Sequence, residues 1–390
     1  MLKHYLAAST LAIAMATALP AAATEIAIGY LRAEQPAPPV LSNLRPDPAD
    51  LGIAGAQAGL ADTRTTGQFL GHDYTLDVVS VPPGGDVLGA ARAALGSSRL
   101  LLLDAPADTV LAIADLPEAQ GALLFNVAAP DPVLRDAECR ANVLHTVAST
   151  AMRTDALIQV LLAKRWTDIV AVAGAHEADS AFMDALDRSA GKFGLKIGKR
   201  KIWAFDADMR RAASTEVPLF TQDLGDYDVL LVADELDDFG EYILYNTWRP
   251  RPVAGSVGMT PQTWSPALEQ WGAVQLQERF RDTSGRDMQP EDYAAWAALR
   301  SIGEAVTRTG FAAPDALRAY ILSDEFELDG FKGRPLSYRG WNGQLRQPIP
   351  VVHPRALVAL APVEGFLHQV NELDTLGLDA PEVDCTAFGD

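Results

Sequence analysis

The chain has 390 residues, enough for two domains with apolar cores of their own. Its 48% hydrophobic and 21% charged content is that of a soluble globular protein. A formal charge of -19 argues against binding nucleic acid or an anionic membrane surface through a general positive field.

Residues 1–23 read as a secretory signal. Lys3 and His4 form a short polar start, Tyr5–Leu19 is apolar, Pro20 breaks the run, and Ala21–Ala23 offers a small-residue cleavage site. The apolar stretch is too short to span a bilayer, and no later segment reaches that length. The expectation is a periplasmic, monomeric protein that begins near Thr24 and has no cysteine there for lipid attachment. Two cysteines remain, Cys139 and Cys385. Export and an even count favour a disulfide, with two buried thiols as the alternative.

Glu25–Leu31 is the first expected strand, followed by a proline-rich loop over Gln35–Asp50. Ala49–Thr66 reads as a helix whose Gly52, Gly55 and Gly59 suit close packing on a sheet. Strands at Tyr74–Val81, Arg99–Leu103 and Ala122–Val127 alternate with helices at Asp86–Leu95 and Ala107–Leu116. That order is one doubly wound lobe. A helix at Ser149–Lys164 leads to a second set of strands at Ile169–Ala173, Lys201–Phe205 and Tyr227–Ala233, with a helix near Ala181–Phe193 and a helical segment after Asp206–Asp208. Short continuous apolar runs of this kind predict parallel sheets covered on both faces. Further helices are expected at Tyr242–Trp248, from Ser265 to Arg281, and at Pro290–Thr309, with a short strand at Pro252–Gly255. Small strands follow at Glu327–Gly333, Leu336–Tyr338 and Ile349–Val352, and Thr375–Asp390 is a polar tail. The fold class is therefore α/β, with two doubly wound lobes.

Several phrases carry a resemblance. Gly121–Pro130, Trp166–Ala173, Ala294–Gly310, Phe331–Tyr338 and Trp341–Leu345 resemble stretches of the type I periplasmic binding proteins, the branched-chain amino acid group of ABC transporter components. More narrowly, Cys139–His145, Trp271–Gln277 and Cys385 are similar to the subgroup that accompanies PQQ-dependent alcohol dehydrogenase systems. The resemblance implies two lobes joined by three crossings near 145–150, 253–260 and 338–344, with lobe 1 over 24–147 and 257–340, lobe 2 over 148–256 and 341–372, and residues 373–390 as a tail tied back to lobe 1. It also implies a small-molecule ligand held between the lobes, an ABC permease as partner, and a place in alcohol catabolism beside a PQQ-dependent dehydrogenase system. No complete nucleophile, metal or nucleotide motif stands in the chain, so neither catalysis nor a cofactor is expected.

In open parallel sheets ligands sit beyond the carboxyl ends of the strands. Those ends carry Asp104, Ala128, Ala129 and Asp131 in the first half, and His176, Glu177, Asp179, Asp234 and Glu235 in the second. These are the expected ligand-binding residues, facing one another across the cleft. Asp104 and Asp131 stand where the family's amino acid binders offer small hydroxyls and free backbone N–H groups, and their charge would repel a carboxylate. The family's aromatic wall would fall near Ala178 and Asp234–Glu235, and its ammonium-pairing acid near Val257–Met259; neither is present. A free amino acid is therefore a poor expectation for the ligand.

The acidic run Asp234–Asp238 with Glu241 reads either as a solvated helix start or as a rim for a cation or polyol. It lacks the spacing of a calcium loop, and His176–Glu177 lacks the second histidine of a zinc motif. Ala254–Gly258 approaches a nucleophile elbow without its first glycine or following helix. No metal site is assigned. Trp248, Trp264 and Trp341 near the crossings read as packing or as a stacking platform. The alternatives to a solute carrier are a metal-ion carrier and an accessory or sensor of the quinoprotein system that docks on protein.

Overall fold

The computed structural model describes residues 24–36, 46–203 and 212–389. The expected signal, the middle of the proline-rich loop and Asp206–Asp208 lie outside these residues.

The first lobe is built on β1 (Thr24–Ala33), β2 (His72–Val81), β3 (Leu100–Asp104), β4 (Leu123–Asn126) and β5 (Val143–His145), all parallel in the order β2-β1-β3-β4-β5. Leu100–Leu103 and Leu123–Phe125 are almost wholly buried, because helices cover both faces of this sheet. Each such leucine contributes roughly 1.5–3 kcal/mol relative to exposure. One face packs on α1 (Ile53–Leu70), α8 (Ala273–Ser284), α9 (Pro290–Thr309) and α10 (Pro314–Ile321). The other packs on α2 (Val87–Ser97) and α3 (Ala107–Ala114). The antiparallel strands β11 (Leu328–Asp329), β12 (Pro335–Tyr338) and β13 (Leu345–Arg346) close the first face.

The second lobe has β6 (Ile169–Ala173), β7 (Ile197–Ile202), β8 (Val229–Ala233) and β9 (Val253–Gly255), parallel in the order β7-β6-β8-β9. Its faces are covered by α4 (Thr150–Ala163) and α5 (Glu177–Lys192) on one side and α6 (Ala213–Thr221) on the other. A small antiparallel sheet of β10 (Thr260–Pro261), β14 (Ile349–His353) and β15 (Ala356–Ala361) packs beside α4.

Where the apolar core changes hands marks the crossings. Leu144 packs with the first lobe and Ala148 with the second, Met259 with the second and Trp264 with the first, Leu345 with the first and Ile349 with the second. The tail packs on both: Leu376 enters the second lobe's core and Phe388 lies on the first's. Cys139 and Cys385 form a disulfide, with Cα atoms 5.6 Å apart.

Several elements differ from expectation for identifiable reasons. Gly55 and Gly59 face α9, not the sheet, since a Cβ on Gly55 would lie 1.9 Å from the Asp292 carbonyl oxygen. β7 ends where Lys201–Phe205 was expected to begin; as an edge strand it fully buries Ile197 and leaves lysine and arginine outside, so apolarity does not mark it. The expected helix over Tyr242–Trp248 shrinks to α7 (Gly240–Ile243), because Tyr245 takes a φ of 64° and the Asn246 amide caps the Tyr242 carbonyl. The helix expected from Ser265 begins instead at Ala273, after Trp271 and Gly272 both enter the left-handed region.

Candidate functional site

Between the lobes lies a cleft of about 300 Å³. Its first-lobe wall is Ala128, Pro130, Pro290 and Glu291; its second-lobe wall is Arg153, Asp234, Glu235, Asp237 and Ser256. Val147 and Ala148 of the first crossing and Pro261–Thr263 of the second form the floor. A larger hollow of about 650 Å³ lies around Trp264, Arg281 and Arg286 on the first lobe alone. A solute there would not couple to closure of the lobes, so the smaller cleft is the candidate site.

The acidic loop after β8 is held from within. Asp179, on the first turn of α5, is wholly buried and accepts the N–H groups of His176 at 3.2 Å and Glu235 at 2.7 Å. Gly174 must be glycine for this, because a Cβ there would lie 2.1 Å from the Asp179 carboxylate. Asp234 is buried as well and accepts from the N–H groups of Asp238, Phe239 and Gly240 at 2.9, 3.0 and 2.6 Å. Burial raises both carboxyls, and the N–H bonds oppose the rise. These two aspartates build the loop; Asp179 does not reach the cleft, and the Asp234 carboxylate is turned inward.

Glu235 does face the cleft, but paired. Arg153 donates to it from both terminal nitrogens at 2.9 and 3.3 Å, and the Ser256 hydroxyl donates at 2.9 Å. Arg153 also donates to the Pro261 carbonyl and lies 5.1 Å from the Phe182 ring centroid. Its guanidinium is thus fixed between α4, the acidic loop and the second crossing, with its charge already met.

What remains for a ligand is acidic. Asp237 and Glu291 line the cleft, and both side chains are solvent-exposed. Partial desolvation in the cleft pushes the Asp237 carboxyl up to about 6, with Asp234, Glu235, Asp47 and Glu241 adding to the rise. It pushes Glu291 up to about 7, with Asp292 and Asp47 adding and Arg153 opposing. Glu291 is placed by its neighbour Asp292, which accepts from the Gly52 N–H at 2.8 Å and from Arg286 at 2.6 and 2.9 Å.

The other expected site residues fall elsewhere. Asp104 lies outside the residues lining the cleft, and its carboxylate accepts from Tyr30 and Arg32, both at 2.9 Å. Ala128 lines the cleft, but its N–H and that of Ala129 donate to the Asn126 side chain at 3.2 and 2.9 Å. Ala129 itself is buried, and its carbonyl accepts from Arg135. Asp131 is exposed beyond the cleft lining. His176 is also exposed and contacts Asp238 at 3.1 Å, and Glu177 opens α5 in solvent. Of the tryptophans, Trp264 is buried against Tyr293, Trp248 is on the surface, and Trp341 stands between Arg339 and Arg346. None lines the cleft.

Arg153 and Glu291 were not singled out in the sequence, while Asp237 stood only within the acidic run Asp234–Asp238 and Ser256 only within Ala254–Gly258. Arg153 and Glu291 do share a signal: each sits in the first turn of a helix that begins at the rim, directly after a crossing or a capped proline.

No protein-family model matches the chain, and no curated protein matches it in sequence. Solved structures do match. A branched chain amino acid ABC transporter periplasmic ligand-binding protein from Burkholderia xenovorans aligns over 93% of this chain and 100% of its own, at 16% identity and a TM-score of 0.70. An ABC transporter substrate-binding protein from Desulfitobacterium hafniense in complex with Leu aligns over 85% and 99%, at 15% identity and a TM-score of 0.64. A solute binding protein from R. palustris in complex with benzoate aligns over 93% and 99%, at 14% identity and a TM-score of 0.60. The fold is that of the type I periplasmic binding proteins, two α/β lobes with a cleft between them. At these identities the likeness is one of architecture, and the side chains of the cleft are this chain's own.

Proposed function

We propose that this protein is the exported, periplasmic substrate-binding component of an ABC transporter. Its solute is a small polar molecule, neutral or cationic. The observation that carries this reading is the charge arrangement in the cleft: the arginine is paired with Glu235, while Asp237 and Glu291 are left facing the space. A ligand carboxylate would meet two acids and no free cation; an amine or a cluster of hydroxyls would meet acceptors. About 300 Å³ suits a small solute. Structures of the same fold hold their solutes as transporter components, leucine in one case and benzoate in another.

The phrases Cys139–His145 and Trp271–Gln277 support a finer placement, transport in the service of PQQ-dependent alcohol oxidation. A metal cargo has less behind it: among the described residues no group of three His, Cys, Asp or Glu side chains is arranged to hold an ion.

A thermal-shift screen over alcohols, amines, acids, quinone cofactors and metal ions tests the reading. Stabilisation by amines or polyols, weakened in Asp237→Asn with Glu291→Gln, is expected. Stabilisation by simple carboxylates or by metal ions alone would contradict it.

A further inference from the structure

The chain makes a fourth connection between the lobes besides the three crossings. After β15 the tail turns at residues 372–375 and docks on the second lobe. The Lys192 ammonium donates to the carbonyls of Thr375 at 3.1 Å and Gly377 at 2.7 Å. The Gly377 N–H donates to the buried Asp155 at 2.8 Å, and Leu376 is fully inside that lobe's core. The same turn grips the hairpin that ends the first lobe: Arg339 and Arg346 donate to Asp374 at 2.9 and 2.7 Å. Arg339 also reaches the carbonyls of Leu373, Leu376 and Leu378. Seven residues later the tail is fastened to the first lobe, where the Asp384 N–H donates to Asp136 at 2.6 Å and Cys385 is bonded to Cys139. Phe388 then lies on the first lobe's core with Arg318 above its ring at 5.2 Å.

From Gly377 to Asp384 a fully extended chain spans at most about 25 Å, and part of this stretch is coiled in the turn Ala380–Glu382. A hinge that carries the two anchors further apart than this reach must draw out the turn and then undock one end of the link.

We infer that the tail is a strap that limits how far the lobes part, and that the Cys139–Cys385 bond makes the limit redox-sensitive. An external dithiol attacks one sulfur, breaks the bond, and leaves as its own disulfide; the two electrons and two protons remain on the Cys139 and Cys385 thiols. This end of the strap is then held without its covalent bond, by the Asp384–Asp136 hydrogen bond and the packing of Phe388, and the range of opening widens.

The test uses the full mature chain without added ligand. Small-angle scattering gives its radius of gyration, and amide exchange follows the tail and both sheets. Three samples are compared with the oxidised protein: the chain reduced by dithiol, the Cys139→Ser, Cys385→Ser double variant, and Lys192→Gln with the disulfide intact. Each is expected to show a larger radius of gyration, with loss of protection at Asp384 in the two chains that lack the disulfide and at Leu376 and Gly377 in Lys192→Gln, and with β3 and β8 protected as before. An unchanged radius of gyration in the reduced chain or in Lys192→Gln would overturn the strap. So would loss of protection through β3 on reduction, which would make the bond a brace for one lobe.

Discussion

Glu291 and Asp237 are the residues on which the chemistry of the cleft turns. Desolvation in the cleft and the neighbouring carboxylates lift them to about 7 and about 6, so they ionise in reverse order as pH rises, Asp237 first. A cationic solute held by them binds tightest above about pH 7 and loses affinity as pH falls through those two values. Side-chain carboxyl titration by NMR checks this directly. The expected midpoints lie well above the ordinary carboxyl range near 4; two unshifted midpoints would remove the premise. Arg153 has a structural consequence. Arg153→Met leaves the Glu235 carboxylate with Ser256 alone, and loss of the charged hydrogen bonds should cost about 1.5–3 kcal/mol in urea unfolding. An unchanged midpoint would mean that solvent already satisfies Glu235. At this scale the sequence is only half legible. The acidic run Asp234–Asp238 stands out by composition, but nothing in it shows that Asp234 turns inward to accept three N–H groups while Asp237 turns out. The partner of Glu235 lies 82 positions away, a separation no local pattern reveals.

Among the elements, α1 and α9 set the first-lobe rim. Gly55 lets the two helices touch backbone to backbone, and Asp292 ties the start of α1 to the start of α9. Gly55→Ala forces a methyl group into the Asp292 carbonyl, so it should destabilise by about 1–3 kcal/mol, read as a lowered urea midpoint. No change would mean that α1 slides freely. Elements buried on both faces were legible: β6 and β8 are apolar throughout and β3 is apolar up to its terminal Asp104, and burial of that kind leaves its mark in composition. Edges and interruptions were not. β7 pairs on one side only, and Lys199 and Arg200 fell outside the strand expected from Lys201. The breaks at Tyr245 and Trp271 need non-glycine residues at positive φ, which local propensity argues against and tertiary contacts impose.

Across the whole molecule, two α/β lobes and a disulfide-closed tail are arranged around one cleft. The alternation of apolar runs and helices made the two-lobed plan visible in the chain, because that periodicity is what a covered parallel sheet demands. The tail's course was not visible beyond its cysteine. Its anchors, Lys192, Arg339 and Arg346, are long cations that composition alone would place in solvent.

Native mass spectrometry of the protein isolated from the cell that produces it puts the cleft itself to the test. The chain should carry a small, non-covalent adduct of defined mass, and Ala128→Trp, which fills the first-lobe wall, should lose it while staying folded. A folded protein that never carries an adduct, or an adduct that survives in Ala128→Trp, would contradict a solute held between the lobes.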